Sequence, residues 1–265
     1  LNVFLTNTLD RIQGKTGQLM AQWLTQEAEG AERVKDKLPV EVVLGNPPYS
    51  GHSTNKSKWI MQLLDEYKKG VPELKKPGQA KWLSDDYVKF IRFAHWRIAH
   101  TGHGIVGFIA NHAWLDNPTF RGMRASLKRD FDDIYILDLH GNSKKKERTP
   151  SAHAQHGDDK NVFDIQQGVA ILFLVRKPGN RARDARVRHA ELWGSRDSKY
   201  QRLEDGDSAT IGWEGLEPVQ PLIPFVPIDT EALGEYRRGW SVPSIFALNG
   251  DPAPEDIRQY FAALR

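Results

Sequence analysis

The sequence predicts an α/β layer fold, and three observations predict it. Short runs rich in β-branched and aliphatic residues, at 40–44, 105–110, 134–139 and 169–175, alternate with stretches whose apolar residues recur at helical spacing. The 265 residues suffice for one large domain or two small ones with a sizeable core. No apolar stretch approaches the roughly 18 residues of a membrane helix, so no membrane partner is expected.

Taken in order, residues 40–44 end at Gly45 and read as a buried strand of a parallel sheet. Residues 1–10 are read as the strand and turn just before it. Asn46-Pro47-Pro48 then forbids both helix and ladder, because proline fixes φ and lacks a backbone donor. Tyr87, Phe90, Ile91, Ala94 and Ile98 recur at helical spacing. Ser84 is placed to cap that helix, Asp85 and Asp86 suit its positive end, and Gly102 can end it. A strand over 105–110, a helix over 120–128 and a strand over 134–139 follow. Residues 141–160 are polar and charged without an apolar period, and read as a mobile loop. Residues 169–175 are apolar on both faces, which predicts a central strand.

Beyond Lys177-Pro178-Gly179 short apolar runs are broken by prolines from Pro218 to Pro254, and residues 254–264 form the one clear helical pattern. The domain boundary is therefore expected at 176/177, with an irregular, Pro-rich tail over 177–265. Two nucleotide-binding look-alikes fail on context. Gly102-His103-Gly104-Ile105-Val106-Gly107 fits G-x-G-x-x-G but leaves a helix and enters a strand, the reverse of the dinucleotide fingerprint. Gly14-Lys15-Thr16 resembles the end of a P-loop, but the first glycine of that motif would fall on Leu9.

Composition excludes further classes. With no cysteine there can be no disulfide, thiolate-zinc site or cysteine nucleophile, and a cytoplasmic location is expected. The first residues lack the charged and apolar regions of a signal peptide, and the missing initiator methionine points to a piece of something larger. A net charge of +3 does not by itself identify a polyanionic partner, so the distribution of charge matters more. Lys144, Lys145, Lys146 and Arg148 form one basic knot; Arg176, Lys177, Arg181, Arg183, Arg186 and Arg188 form another. Each reads either as a solvated face or as a nucleic-acid contact. His153 and His156 beside Asp158 and Asp159 raise a metal, but such residues in an unstructured loop belong to solvent, and no metal is expected.

Asn46-Pro47-Pro48-Tyr49 carries the chemistry. A strand ending there puts a rigid turn at the carboxyl edge of the sheet, where open α/β folds bind ligands. The prolines remove backbone donors, so the Asn46 side-chain oxygen and the Pro47 carbonyl can both accept from one incoming group. An amino group conjugated to an aromatic ring is such a donor. Two acceptors would draw its nitrogen toward sp³ character and make it nucleophilic toward an electrophilic methyl group. Tyr49 adds a flat face for a base, worth roughly 1–3 kcal/mol in single-strand binders.

This tetrapeptide after an apolar strand resembles motif IV of gamma-class N6-adenine DNA methyltransferases. Phe108-Ile109-Ala110-Asn111, Trp114-Leu115, Phe120-Arg121-Gly122-Met123-Arg124, residues 136–142 (ILDLHGN) and residues 162–171 (VFDIQQGVAI) are similar to the methyltransferase part of single-polypeptide, type I-like (type ISP) restriction-modification enzymes. The likeness covers most of 1–176, with a weaker echo at Trp240-Ser241-Val242-Pro243. It implies the C-terminal part of a Rossmann-like S-adenosylmethionine-dependent methyltransferase sheet with helices on both faces. Residues 1–176 would be the catalytic part and 177–265 an extension leading toward a target-recognition domain.

Asn46, Pro47, Pro48 and Tyr49 would be catalytic, and Tyr49 with Phe163 would hold a flipped adenine. Lys56, Lys58, Lys144, Lys145, Lys146 and Arg148 would meet double-stranded DNA. No cofactor loop is visible before Asn46, so most cofactor-binding residues are expected upstream, in the remainder of a larger polypeptide, and S-adenosylmethionine binding by the isolated chain is expected to be weak. Methylation of RNA adenine or protein glutamine, or a non-catalytic DNA-recognition role, are the alternatives.

Overall fold

The computed structural model describes residues 3–4, 6–10, 21–49, 53–76, 78, 80–145, 149–150, 158–179, 183–229 and 234. Among them, six strands form one sheet: β1 (Val42–Gly45), β2 (Gly104–Asn111), β3 (Asp133–Asp138), β4 (Val169–Arg176), β5 (Arg186–Glu191) and β6 (Glu214–Leu216). Their order is β1-β2-β4-β3-β5-β6. β1 lies parallel to β2 and β3 parallel to β5, while β4 runs antiparallel to both β2 and β3, and β6 antiparallel to β5. The carboxyl ends of β1, β2, β3 and β5 therefore share one edge of the sheet, and the connection from β3 to β4 crosses that edge. An α/β fold with a central residue 169–175 strand is what the apolar runs predict.

Among the described residues five α-helices accompany the sheet: α1 (Ala21–Asp36), α2 (Lys58–Leu64), α3 (Asp86–Thr101), α4 (Arg121–Asp130) and α5 (Arg196–Asp205). α3 is capped by Asp85 and ends on Gly102, which takes a left-handed φ of 93°. Ser84 sits one step early, in a 3-10 turn (Trp82–Ser84), so the cap falls on Asp85 rather than on the expected Ser84. Gly104, at φ 136°, passes so close to the Glu41 carbonyl that a Cβ would stand 2.3 Å from it. The glycines of the G-x-G-x-x-G pattern thus serve a helix-to-strand turn and strand packing.

The main core joins α3 and α4 to one sheet face. Val88, Ile91, Ala94 and Ile98 of α3, with Met123 and Leu127 of α4, pack on Val106, Phe108, Ile134, Ile136, Leu172 and Leu174. Residues that alternate with these point to the opposite face, which is covered differently. At the carboxyl end Leu203 of α5 packs with Leu137, Ile171 and Ala190. Toward β1, however, Val42, Leu44, Ile105 and Phe173 remain 56%, 72%, 40% and 39% exposed. The expected buried strand at 40–44 is corrected accordingly: it is parallel, but it is an edge strand with a largely open face. An apolar run records β-propensity and hydrophobicity, not whether a cover lies above it.

The sheet also continues beyond Arg176, the end of the expected catalytic segment. β5 adds to β3 over six residue pairs and β6 adds to β5, and the first compact unit runs Leu1–Val226. β5 begins Arg186-Val187-Arg188, which hid it among the basic runs. Residues 6–10 form turn and coil, not a strand, and α1 intervenes before β1. Of the second unit (Pro227–Arg265) only 227–229 and 234 are described; the expected 254–264 helix, the Trp240 segment and Gly14-Lys15-Thr16 lie outside the described residues.

Candidate active site

Asn46 follows the last residue of β1 directly, with an exposed side chain, while Pro47 is buried and Tyr49 half-buried. Among the described residues the Asn46 side chain enters no hydrogen bond, and it is exposed at the carboxyl edge. Pro47 and Pro48 cannot extend the ladder to β2, which forces the chain off the sheet at this point. Tyr49 then turns back toward β2, its hydroxyl donating to the Ile109 carbonyl at 3.3 Å. Burial disfavours the phenolate and pushes the Tyr49 hydroxyl up to about 12, so the ring stays neutral at ordinary pH.

Phe163 meets Tyr49 from the β3–β4 connection, with ring centroids 5.8 Å apart and planes tilted by 50°. Two residues separated by more than a hundred positions thus reach one place, as the resemblance implied. Phe163 also borders a cavity of about 550 Å³ lined by Gly141, Asn142, Asn161, Ile165, Gln166 and Arg196 among others. Asn161, buried beneath it, accepts the Phe163 N–H at 2.8 Å and donates to the carbonyls of Gly141 at 3.1 Å and Gln167 at 2.7 Å. Each hydrogen-bonding atom of that amide side chain has work inside the loop, which clamps the loop on both sides of the aromatic ring.

Behind the loop lies an ion pair that sequence reading missed. The Lys199 side chain of α5 has no exposed surface and Asp159 only 1%, and they meet at 2.6 Å. Lys199 Nζ also donates to the carbonyls of Leu139 and Lys160, both at 2.6 Å. The second Asp159 oxygen accepts the Gly141 N–H at 2.7 Å. Asp159 is therefore held by a lysine, not offered to a metal beside Asp158 as the histidine-rich pattern raised; His153 and His156 lie outside the described residues.

A second buried polar group joins the ends of β2, β3 and β5. The ligand atoms of His112, Asp138 and His140 lie within 4.8 Å of one another, a spacing that could hold a metal ion. In this structure the Asp138 carboxylate takes the His112 ring at Nδ1 (3.0 Å) and the backbone N–H of His140 (2.9 Å). Burial alone would raise the Asp138 carboxyl, but these hydrogen bonds and the neighbouring histidines hold it below its usual range. His140 stacks on Trp193 at 3.5 Å, and Trp193 donates to Glu191 at 3.0 Å. Burial pushes His189 down, toward the neutral ring, against the pull of Asp138 and Glu191. No sequence signal marked this cluster, since its members arrive from three strands.

The expected DNA-contacting lysines divide. Lys56 and Lys58 are exposed just past the motif, Lys58 as the first residue of α2. Lys144 is exposed at the loop's start and Lys145 lies 3.8 Å from Asp116, while Lys146 and Arg148 fall outside the described residues. The second basic run is spent internally to a large degree. Lys177, Arg186 and Arg188 converge on the buried Asp133 at 3.0, 2.7 and 2.9 Å, and Arg176 donates to the Gly102 carbonyl. Trp114 is core, at 1% exposure.

The carboxyl edge of a mixed α/β sheet thus carries an asparagine-proline turn and a facing aromatic pair. The model of the Eco57I restriction-modification methylase family matches residues 6–145, more than half of the 265 residues, and the chain belongs to that family. No curated protein matches the chain. Among solved structures it is similar to the ATP-dependent type ISP restriction-modification enzyme LlaBIII bound to DNA, with 24% identity and a TM-score of 0.64 over 82% of this chain and 14% of that one. It is similar to DrdV in its DNA complex, with 28% identity and a TM-score of 0.61 over 78% of this chain and 20% of that one. A nuclease-deletion mutant of the type ISP enzyme LlaGI, in complex with a DNA substrate mimic, gives 23% identity and a TM-score of 0.65, covering 80% and 20%. The chain spans a fifth or less of the length of these three structures. No helix among the described residues is long and apolar enough to cross a membrane.

Proposed function

We propose that this chain is the methyl-acceptor half of a site that methylates the N6 amino group of adenine in double-stranded DNA, with S-adenosylmethionine as donor. The observation that carries the reading is the exposed Asn46 at the carboxyl end of β1, one turn from the Tyr49–Phe163 pair. Membership in a restriction-modification methylase family supports methyl transfer, and the DNA in the complexes of LlaBIII, DrdV and LlaGI supports the polymer. The described residues fit the acceptor and not the donor. No strand among them runs into a glycine-rich turn, and Asp138 at the end of β3 is occupied by His112 and His140. The donor supplies an electrophilic methyl group; the residues that hold it are sought elsewhere in the polypeptide.

The work of this chain is orientation. An adenine stacked in a duplex hides its amino group, so the nucleotide swings out of the helix to reach Asn46. Asn46 Oδ1 and the Pro47 carbonyl accept the two N6 hydrogens, turning the nitrogen lone pair outward, and the surplus proton leaves to solvent after transfer. Tyr49 and Phe163 hold the ring. A base between two rings needs about 7–8 Å at ordinary carbon contact distances, so the 5.8 Å pair must part to admit it. The exposed Lys56, Lys58, Lys144 and Lys145 serve the phosphates. The catalytic part is taken to run through β6, with the remaining chain leading toward target recognition.

The test is methyl transfer from labelled S-adenosylmethionine to unmethylated plasmid DNA by the polypeptide carrying this chain, with product nucleosides separated by mass spectrometry. N6-methyladenine is expected, and Asn46→Ala is expected to lower turnover by roughly 10²–10³-fold while leaving DNA affinity within a few-fold. Unmodified DNA despite verified donor binding would redirect the reading to RNA adenine or a glutamine amide. Equal losses of turnover and affinity would make Asn46 a structural residue.

A further inference from the structure

We propose that Lys199 and Asp159 are positioning residues that make Phe163 the rigid wall of the base pocket; the proposal rests on the reading of Phe163 given above. Lys199, from α5, bonds three acceptors on two segments: the Leu139 carbonyl at the end of β3, and the Asp159 carboxylate and Lys160 carbonyl of the loop. Asp159 passes the constraint to Gly141 through the backbone N–H. Asn161 ties the same glycine to Gln167 and takes the Phe163 N–H. From ammonium to aromatic ring there is a continuous line of bonds, all of 3.1 Å or less.

The geometry exceeds what stability needs. A charged pair with almost no exposed surface is costly to desolvate, and an apolar pair of similar size commonly serves packing as well or better. What the pair supplies is direction. An ammonium with three acceptors in fixed positions holds the end of β3 and the loop to α5 in one arrangement, whereas an apolar contact could slide. The loop it fixes carries Phe163, the aromatic ring that meets Tyr49 among the described residues. Among the described residues the Tyr49 hydroxyl makes one hydrogen bond, at 3.3 Å to the Ile109 carbonyl, so Tyr49 is the ring expected to move when the pair parts for a base.

The experiment uses the polypeptide carrying this chain and the variants Lys199→Met, Asp159→Asn, Phe163→Ala and Lys199→Met with Phe163→Ala. Arg124→Met is the control, because Arg124 is equally buried and bonds the carbonyls of Trp114, Asn117, Leu222 and Ile223, away from the loop. Two readouts are taken: amide hydrogen exchange at Gly141 and Phe163, and kcat and KM for methyl transfer to unmethylated plasmid DNA. Lys199→Met is expected to lose amide protection at Gly141 and Phe163 at least tenfold with the sheet intact, and Asp159→Asn to lose it partly. Both should lower kcat tenfold or more with KM within threefold, and Lys199→Met should add less than threefold in the Phe163→Ala background. Arg124→Met should lower the melting temperature without changing that protection.

Unchanged protection in Lys199→Met and Asp159→Asn overturns the proposal, as does an equal kcat loss from Lys199→Met with and without Phe163. If Phe163→Ala leaves methyl transfer untouched, the wall itself fails and its brace with it. If the protection pattern is as expected but the parent polypeptide methylates neither DNA nor RNA nor glutamine amide, the brace stands as a feature of the loop and the methyltransferase reading falls.

Discussion

Among the described residues, Lys89 and Lys199 have no exposed side-chain surface, and each sits behind one wall of the site, yet they are held in different ways. Lys89, on α3, reaches the segment after the Asn-Pro-Pro-Tyr turn, donating to Ser53 Oγ and the Asn55 carbonyl. Its carboxylate, Asp86, lies 3.8 Å away and is itself bonded by Ser53 and Asn55. Lys199 meets its carboxylate directly, at 2.6 Å. Burial pushes Lys89 down, and the charge of Asp86 only partly opposes it. The turn wall is stiffened mainly by covalent structure, two prolines in sequence, and the loop wall by non-covalent bonds alone. A wall built by prolines can be written in four residues; one built by bonds must be assembled from β3, the loop and α5.

The sharpest test of that difference is to remove each ammonium. Lys199→Met leaves Asp159 buried without its partner, a loss of about 3–5 kcal/mol, or roughly 6–20 °C in melting temperature for a unit of this size. Lys89→Met removes a charge already held at a cost, and about 1–2 kcal/mol is expected from its lost hydrogen bonds. Thermal denaturation of the two variants side by side decides the matter, and equal shifts would erase the distinction.

Next in size is the backbone of each wall. Gly141 has a φ of 81°, and a Cβ there would stand 2.4 Å from the Asn161 Cα, so Gly141→Ala must displace the segment that carries Phe163. About 1–3 kcal/mol is expected. Pro48 is exposed, and Pro48→Ala acts mainly by freeing the unfolded chain, for under about 1 kcal/mol. A larger stability loss from Pro48→Ala than from Gly141→Ala would reverse the assignment of which wall depends on packing.

How much of this could be read in advance follows the same division. The turn wall was readable because its information is local: β-branched run, glycine, asparagine, two prolines, tyrosine. Phe163 was reached only through the resemblance of residues 162–171, since a phenylalanine ahead of a strand has no property of its own that marks a base-stacking ring. Lys199 was unreadable, because lysine is rarely buried and nothing in Ser195 to Leu203 shows that α5 lies over the β3–β4 loop. The same limit explains β1. Val42 and Leu44 are apolar enough for a covered strand, yet only the assembled sheet reveals that Leu44 and Phe173 close over Gly107 with their outer surfaces open. β5 was missed for the opposite reason, because Arg186 and Arg188 look like surface until Asp133 is seen between them.

The walls also differ in what acid does to them. His189 of β5, in the polar cluster with Asp138 and Glu191, is held below the ordinary histidine range by burial, so the folded ring is neutral where the unfolded chain begins to take up a proton. The unfolded state then binds more protons, and stability falls as the pH drops through about 6.5. Asp138, also held low, adds a further loss below about 3.8. Tyr49, pushed up to about 12, contributes no change in that range. His95 on α3, pushed down to about 4 by burial, puts a similar slope on the whole domain, so the informative measurement is a difference. The melting temperature of His189→Gln is expected to fall less between pH 6.5 and 5 than that of the unaltered protein. Parallel curves would show that the cluster at the ends of β2, β3 and β5 does not couple to stability through His189.

The smallest expected effect lies at the rim. If the loop wall also lies along the DNA backbone, Lys144→Ala removes one phosphate contact, lowering the slope of log affinity against log salt by about 0.9. Lys145→Ala should change it less, because Lys145 shares its charge with Asp116 at 3.8 Å. Lys56→Ala and Lys58→Ala make the same test beside the turn wall. Binding of a duplex of about 30 base pairs, followed by anisotropy over a salt series, separates the cases: slopes that fall for Lys144 but not for Lys56 or Lys58 would put DNA along the loop wall. Slopes unchanged for all four would remove these lysines from the interface, leaving the aromatic pair and Asn46 reached from another side of the carboxyl edge.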